Sequence, residues 1–185
     1  MICIPIVGPT QSKSLQDIVA AEPLADILEL RLDLMSDYDL DALLAASKKP
    51  CIVTNRTKRE GGQFSGSEEE RIVLLKQAMV AGAEYVDIET STPKELLKPF
   101  LESERKSKVI LSYHNFTDTP EEIDHLYELM CGMPADILKI VTYARDINNN
   151  LALFNLIHRS KKDGKKLIAL CIGEKGEVSR ILSPL

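Results

Sequence analysis

The chain has 185 residues, of which 44% are hydrophobic and 28% charged, with a net charge of −5. This composition predicts one globular domain with a packed core, and the lack of a Lys/Arg cluster argues against a nucleic-acid partner. The N-terminus lacks the features of a signal peptide, and no apolar run approaches the roughly 20 residues of a membrane span. We therefore expect a cytoplasmic protein without a membrane contact. The four cysteines form no C-x-x-C pair, which favours buried free thiols over disulfides or metal ligands.

Short apolar runs alternate with longer amphipathic segments along the whole chain. The length and branched residues of the short runs favour strands over helices. The predicted strands cover residues 2–7, 27–32, 51–54, 85–88, 108–112, 136–141 and 166–172.

The segments between these runs are predicted to be helices. One begins at Ser67, which precedes three glutamates, and another at Thr119, where Pro120 would take the first helical position. A third covers residues 146–161 and places Leu151, Phe154 and Ile157 on one face.

Strands that alternate with helices indicate a parallel sheet covered by helices. An open doubly wound sheet and a (β/α)8 barrel both fit this order. After Ile172 the sequence offers only a glycine-containing turn and a short helix. Because a barrel needs an eighth strand and typically about 250 residues, the chain is expected to end early if it is a barrel.

Charged residues interrupt the second predicted strand. Glu29, Arg31 and Asp33 share one face because strand side chains alternate, while the intervening leucines take the other face. A solvated strand face is one reading. In a β/α repeat, a charged strand end that points into a cleft is the better reading.

The sixth predicted strand contains Lys139 in the middle of an apolar run. A buried lysine has a lowered pKa, which an amine nucleophile attacking a ketone requires. The alternative is a lysine whose stem lies on apolar surface and whose ammonium reaches water. His114 ends the preceding strand and faces the same way as Ser112. If the two strands pair, His114 and Lys139 share one pocket.

Two loops add further candidates. The third strand leads to Arg56 and Glu60, followed by two glycines that allow the backbone to approach a ligand closely. The seventh strand leads to a glycine turn and Arg180, which could pair with a carboxylate.

Six short motifs together resemble one family, the type I 3-dehydroquinate dehydratases, over nearly the whole chain and in the family's order. They are Glu29-Leu-Arg31-Leu-Asp33, Arg56 with Glu60-Gly-Gly-Gln, Tyr85-Val-Asp-Ile-Glu89, Ser112-Tyr-His114-Asn-Phe, Asp136-Ile-Leu-Lys139-Ile and Gly176-Glu-Val-Ser-Arg180.

The resemblance implies a (β/α)8 TIM-type barrel, here with about seven strands, in a single incomplete catalytic domain over residues 1–185. It implies conversion of 3-dehydroquinate to 3-dehydroshikimate in the shikimate pathway, with no metal and no organic cofactor. Lys139 would form a Schiff base and His114 would move protons. Glu60 would orient the histidine, and Arg180 would bind the substrate carboxylate. The residues implied to hold substrate hydroxyls are Glu29, Arg31 and Arg56.

Two departures from the family pattern stand out. The family continues past the position of Leu185 with an eighth strand and a closing loop, and Pro5 stands where many members have a small polar residue. Some members are fused to shikimate dehydrogenase, so such a fusion or partner, as well as a homodimer, is left open. A class I aldolase-like enzyme and an inactive, self-associating barrel fragment are the alternatives.

Overall fold

A computed structural model describes residues 1–183 as parallel strands that alternate with helices. The chain divides into two compact units. The first unit contains residues 1–88 and 92–109, and the second contains residues 89–91 and the chain from Ile110 onward.

In the first unit, parallel strands lie side by side in chain order. Its elements are β1 (Cys3–Ile6), α1 (Gln11–Ala21), β2 (Ile27–Arg31), α2 (Leu40–Ala46), β3 (Cys51–Thr54), α3 (Glu68–Val80), β4 (Tyr85–Glu89, whose last residue belongs to the second unit) and α4 (Lys94–Glu102). Two 3₁₀ turns, Leu32–Leu34 and Lys58–Glu60, follow β2 and β3.

One face of these strands forms the apolar core of the first unit. Leu28, Leu30, Val53 and Val86 alternate onto this face and are fully buried. Helix α3 begins where the sequence predicts, since the Ser67 hydroxyl accepts from the Glu70 amide in a capping box.

The second unit also contains parallel strands in chain order. Its elements are β5 (Lys108–His114, which begins in the first unit), α5 (Ile123–Cys131), β6 (Ile137–Tyr143), α6 (Asn149–Lys162), β7 (Leu167–Ile172), the 3₁₀ turn Glu174–Gly176 and α7 (Glu177–Leu182). Its buried core includes Leu111, Ile140 and Ala169 from the strands, with Leu153 and Leu156 from α6.

The predicted start of the fifth helix at Thr119 is wrong, because α5 begins at Ile123. The Thr119 hydroxyl donates to the Tyr143 carbonyl and shares a hydrogen bond of 2.8 Å with Thr142. A side chain tied to β6 in this way is not available to cap a helix.

The predicted apolar face of α6 is correct only in part, since Phe154 and Ile157 are half-buried but do not belong to the fully buried face. The helix buries Asn150, Leu153, Leu156 and Ser160, whereas Leu151 is 56% exposed. Because Asn150 and Ser160 on this buried face are polar, the pattern of apolar residues alone does not predict which face of α6 is buried.

The cysteines agree only in part with expectation. All four are free thiols, but only Cys51 and Cys171 are buried, while Cys131 is half-buried and Cys3 is exposed. Over residues 1–183, no group of three or more His, Cys, Asp or Glu side chains is arranged to hold a metal ion. None of the helices in that range combines the length and apolarity needed to cross a membrane.

We predict that Leu153→Ala destabilises the protein by about 2–5 kcal/mol, since truncating a buried leucine removes apolar burial and leaves a cavity. Leu151→Ala is the matched control on the same helix, and it should change stability by at most about 0.5 kcal/mol. Urea unfolding followed by circular dichroism measures both. Equal losses for the two variants would contradict the observed orientation of α6.

Candidate active site

The register of the first unit collects polar side chains on the face opposite its apolar core. Arg31 is paired with Thr54, and Thr54 with Asp87. Since paired residues of parallel strands point to the same side, these side chains line one face together with Glu29.

Arg31 is held by a buried carboxylate. Its Nε and Nη2 atoms donate to the two oxygens of Asp33 at 2.9 and 2.8 Å, and the Asp33 side chain is fully buried. This hydrogen-bonded carboxylate raises the pKa of Arg31 above its ordinary value, although burial acts in the opposite direction. The arginine is therefore charged, fixed in orientation and locally neutralised.

Arg56 lies at the end of β3 and is held in a similar way. Its Nη2 atom lies 2.9 Å from Asp87 Oδ1, and both side chains are almost completely buried. Removing one member of such a pair leaves an uncompensated buried charge, which typically costs about 3–5 kcal/mol. Asp87 therefore fixes Arg56 at the strand end.

Glu29 is half-buried on the same face. Its Oε1 atom accepts a hydrogen bond of 2.7 Å from the Thr54 hydroxyl on the neighbouring strand. The face therefore carries a carboxylate acceptor beside the guanidinium donors of Arg31 and can bind hydroxyl groups through either.

The loop after β3 brings Glu60 inward, because Glu60 is only 6% exposed. Gly61 ends the 3₁₀ turn with φ 76°, a left-handed conformation that glycine adopts readily. A side chain at Gly62 would place its Cβ 2.1 Å from the Arg56 carbonyl oxygen. The Gln63 amide donates to Asp33, so the same carboxylate holds Arg31 and this loop.

In the second unit, β5 and β6 pair so that Lys139 lies beside Ser112. His114 is two residues further along β5 and faces the same side as Ser112, so the two predicted residues share one face of adjacent strands. Lys139 is half-buried rather than fully buried. Lys139 thus lies on a mostly apolar strand without being completely enclosed.

The two residues that follow β5, Asn115 and Phe116, restrain the position of His114. The Asn115 amide donates to the Val141 carbonyl at 2.8 Å, which ties the end of β5 to β6. The His114 ring stacks nearly parallel to Phe116, with ring centroids 6.2 Å apart. The residue is half-buried.

Arg180 lies on α7 and is exposed. Its guanidinium forms no hydrogen bond or ion pair with any of residues 1–183, unlike those of Arg31 and Arg56. Helix α7 has only six residues, so anion binding here would depend on the guanidinium itself rather than on the helix start.

The seven predicted residues thus fall into two sets. Glu29, Arg31, Arg56 and Glu60 belong to the first unit, and His114, Lys139 and Arg180 to the second. Asp33 and Asp87, the carboxylates that hold Arg31 and Arg56, are not among the residues predicted to bind substrate. The sequence does contain a feature that could have identified both, since each is a charged residue within or next to an apolar strand.

Comparison with known proteins gives consistent results. The model of the family "Type I 3-dehydroquinase" matches residues 2–185. A 3-dehydroquinate dehydratase of Dehalococcoides mccartyi is 46% identical over 87% of this chain and 72% of that protein. A bifunctional 3-dehydroquinate dehydratase/shikimate dehydrogenase of Arabidopsis thaliana is 37% identical over 98% of this chain and 31% of its own length.

Among solved structures, a type I 3-dehydroquinate dehydratase from Clostridium difficile matches with a TM-score of 0.91 at 22% identity, over 100% of this chain and 79% of the other. This likeness confirms the predicted fold class, the α/β fold of the TIM-type barrel enzymes. The organisation as one domain stays a prediction.

We predict that Gly62→Ala destabilises the protein by at least about 1–3 kcal/mol, the usual range for overpacking. The new methyl group would meet the backbone of Arg56, which cannot move aside as a flexible side chain can. Gly132→Ala is the control, because its Cβ would lie 3.5 Å from the nearest atom; it should stay within about 0.5 kcal/mol of wild type. Denaturant unfolding measures both variants. If Gly62→Ala were as stable as Gly132→Ala, the close approach of the loop to Arg56 would be wrong.

Proposed function

We propose, because the chain belongs to the type I 3-dehydroquinase family, that it dehydrates 3-dehydroquinate to 3-dehydroshikimate through a Schiff base on Lys139. The observation that carries this proposal is the register of β5 and β6, which sets Lys139 beside Ser112 on the face that ends in His114. An amine and a proton-transferring group on one face are the two parts that this dehydration needs.

The first step is attack by the neutral Lys139 amine on the substrate ketone. A carbon–nitrogen bond forms, and the carbonyl oxygen leaves as water. The resulting imine, when protonated, is a stronger electron sink than the ketone. The hydrogen on the adjacent carbon is consequently more acidic.

His114 then takes this proton, since an imidazole has an ordinary pKa of about 6.5 and exchanges protons near neutral pH. The electron pair moves into an enamine and expels the hydroxyl group from the next carbon. His114 returns its proton to that leaving group, which departs as water. Hydrolysis of the product imine frees Lys139, so the cycle needs no metal and no organic cofactor.

The ion pairs of the arginines support different binding roles for them. Arg31 and Arg56 are already paired with Asp33 and Asp87, so they suit the neutral hydroxyl groups of the substrate better than its carboxylate. Arg180 has no such partner among residues 1–183. We therefore assign the substrate carboxylate to Arg180, and substrate hydroxyls to Glu29, Arg31 and Arg56.

Glu60 is proposed to orient His114, as the resemblance to the family implies. Its burial supports a role inside the protein rather than at the surface.

Because the Arabidopsis relative combines this dehydratase with a shikimate dehydrogenase, we propose that the product passes to a dehydrogenase of that kind, fused or separate. A cytoplasmic location and a homodimer stay predictions.

We predict that borohydride reduction in the presence of 3-dehydroquinate links the substrate to Lys139 and stops turnover. Reduction fixes the imine as a stable amine, which peptide mass spectrometry locates. Lys139→Arg is the variant that should give no adduct, because an arginine keeps the charge but forms no stable imine. An adduct on another lysine in wild type, or none at all, would refute the proposed nucleophile.

We predict that His114→Ala lowers kcat at least about 100-fold, the lower end of what positioned proton transfer contributes. KM should change little, because the histidine acts on a proton rather than on a binding group. His125→Ala is the control, since His125 is an exposed residue of α5. Steady-state assays of product formation would compare them. Wild-type turnover in His114→Ala would exclude the histidine from proton transfer.

We predict that Arg180→Ala raises KM about tenfold or more and lowers kcat much less, because the carboxylate contact exists in both ground and transition states. Lys161→Ala removes one exposed positive charge from α6 and serves as the control for a general loss of charge. Initial rates over a range of substrate concentrations separate the two constants. An unchanged KM in Arg180→Ala would show that another group binds the carboxylate.

A further inference from the structure

The segment that carries Arg180, residues 173–182, is here named the β7–α7 arm. It begins at Gly173, whose φ of 83° favours glycine and whose Cβ would lie 2.7 Å from the Tyr143 ring. Gly176 packs directly on Cys171, since a Cβ there would lie 2.7 Å from the Cys171 carbonyl carbon. The arm therefore follows a close path over the end of β7, with no room for side chains at either glycine.

Asn150, near the start of α6, fastens the first half of the arm. Its Nδ2 group donates to the Ile147 carbonyl at 2.7 Å and to the Lys175 carbonyl at 2.8 Å, and the residue is 2% exposed. Its Oδ1 atom is buried and has no partner among residues 1–183. A buried acceptor without a partner is unfavourable. Any stabilisation that the Asn150 side chain provides therefore comes from the two hydrogen bonds that its Nδ2 group donates. One of these joins α6 to the arm.

Ser179, on α7, fastens the second half. It is fully buried, and its Oγ atom accepts from the Cys171 amide at 2.8 Å and lies 2.7 Å from the Gly176 carbonyl, to which it donates. A single hydroxyl thus links α7 to the end of strand β7 and to the residue before its own first turn. Arg180 is the next residue, about 3.8 Å away between Cα atoms.

From these contacts we propose that Asn150 and Ser179 are positioning residues for Arg180 and thereby set the affinity for the substrate carboxylate. The inference rests on the proposed role of Arg180. The arm has only six helical residues and cannot fix its own direction, whereas the two buried side chains tie it to α6 and β7. An exposed guanidinium on a fixed backbone loses less freedom when it binds an anion than one on a mobile segment.

The test is a double-mutant cycle with steady-state kinetics. Asn150→Asp keeps the size of the side chain but removes both donors, and Ser179→Ala removes the hydroxyl. Each should raise KM at least about threefold with kcat within about twofold. In an Arg180→Ala background, neither should raise KM further, because a residue that acts only through Arg180 loses its effect once the guanidinium is gone.

Two controls separate positioning from general damage. Asn149→Asp adds the same negative charge one residue away and keeps the Oδ1 atom that accepts from the Asp146 amide. Ser160→Ala removes another buried hydroxyl of α6, which donates only to the Ile157 carbonyl. Both should leave KM at the wild-type value.

Amide hydrogen exchange over residues 173–182, without substrate, gives a second readout that does not depend on turnover. Asn150→Asp and Ser179→Ala should each speed exchange in the arm more than in β5 and β6. If Asn150→Asp does not fold, Ser179→Ala and the smaller change Asn150→Ser carry the same test.

The outcomes are distinguishable. If Arg180→Ala raises KM while Asn150→Asp and Ser179→Ala do not, or if their effects multiply with that of Arg180→Ala, the positioning inference is overturned and the role of Arg180 survives. If Arg180→Ala itself leaves KM unchanged, both the carboxylate assignment and this inference fall.

Discussion

Side-chain alternation in the parallel strands is the constraint on which the rest depends. In the first unit every second residue of β2, β3 and β4 enters the apolar core, as Leu28, Val53 and Val86 do. The remaining positions face the other side, where the register brings Arg31, Thr54 and Asp87 into line. The second unit repeats this rule with Ser112 beside Lys139. The proposed site residues and the apolar core thus occupy opposite faces of the same strands.

In our proposal, charge compensation decides which substrate group each arginine binds. Asp33 and Asp87 neutralise Arg31 and Arg56 and hold them rigidly, which suits hydrogen bonding to neutral hydroxyl groups. Arg180 is exposed and free of such partners among residues 1–183, so its charge remains for an anion. The precision that Arg31 and Arg56 gain from a buried carboxylate must come, for Arg180, from the backbone that carries it. The buried side chains of Asn150 and Ser179 supply this restraint in our proposal.

Much of the fold and the family could be predicted from the sequence, because apolar runs mark strands and the charged residues that break them are few. Lys139 and His114 could be singled out in this way, and the strand pairing puts them on one face. The burial of α6 could not be predicted, since Asn150 and Ser160 occupy its core side as polar residues. The hydroxyl of Thr119 could bond either a helix start or β6, and only the tertiary contact with Thr142 decides between them. Partners of this kind, including Asp33 for the Gln63 amide, depend on neighbours in space rather than on local pattern.

The most direct measurement of the central claim is the intact mass of His114→Ala protein mixed with 3-dehydroquinate. If Lys139 forms the covalent bond and His114 moves the later proton, this variant should accumulate an adduct with the mass of the substrate less one water. Introducing Lys139→Arg into the same protein should abolish the adduct. A His114→Ala protein that stays unmodified in mass yet still forms product, or an adduct that survives Lys139→Arg, would contradict the assignment of nucleophile and proton carrier to these two strands.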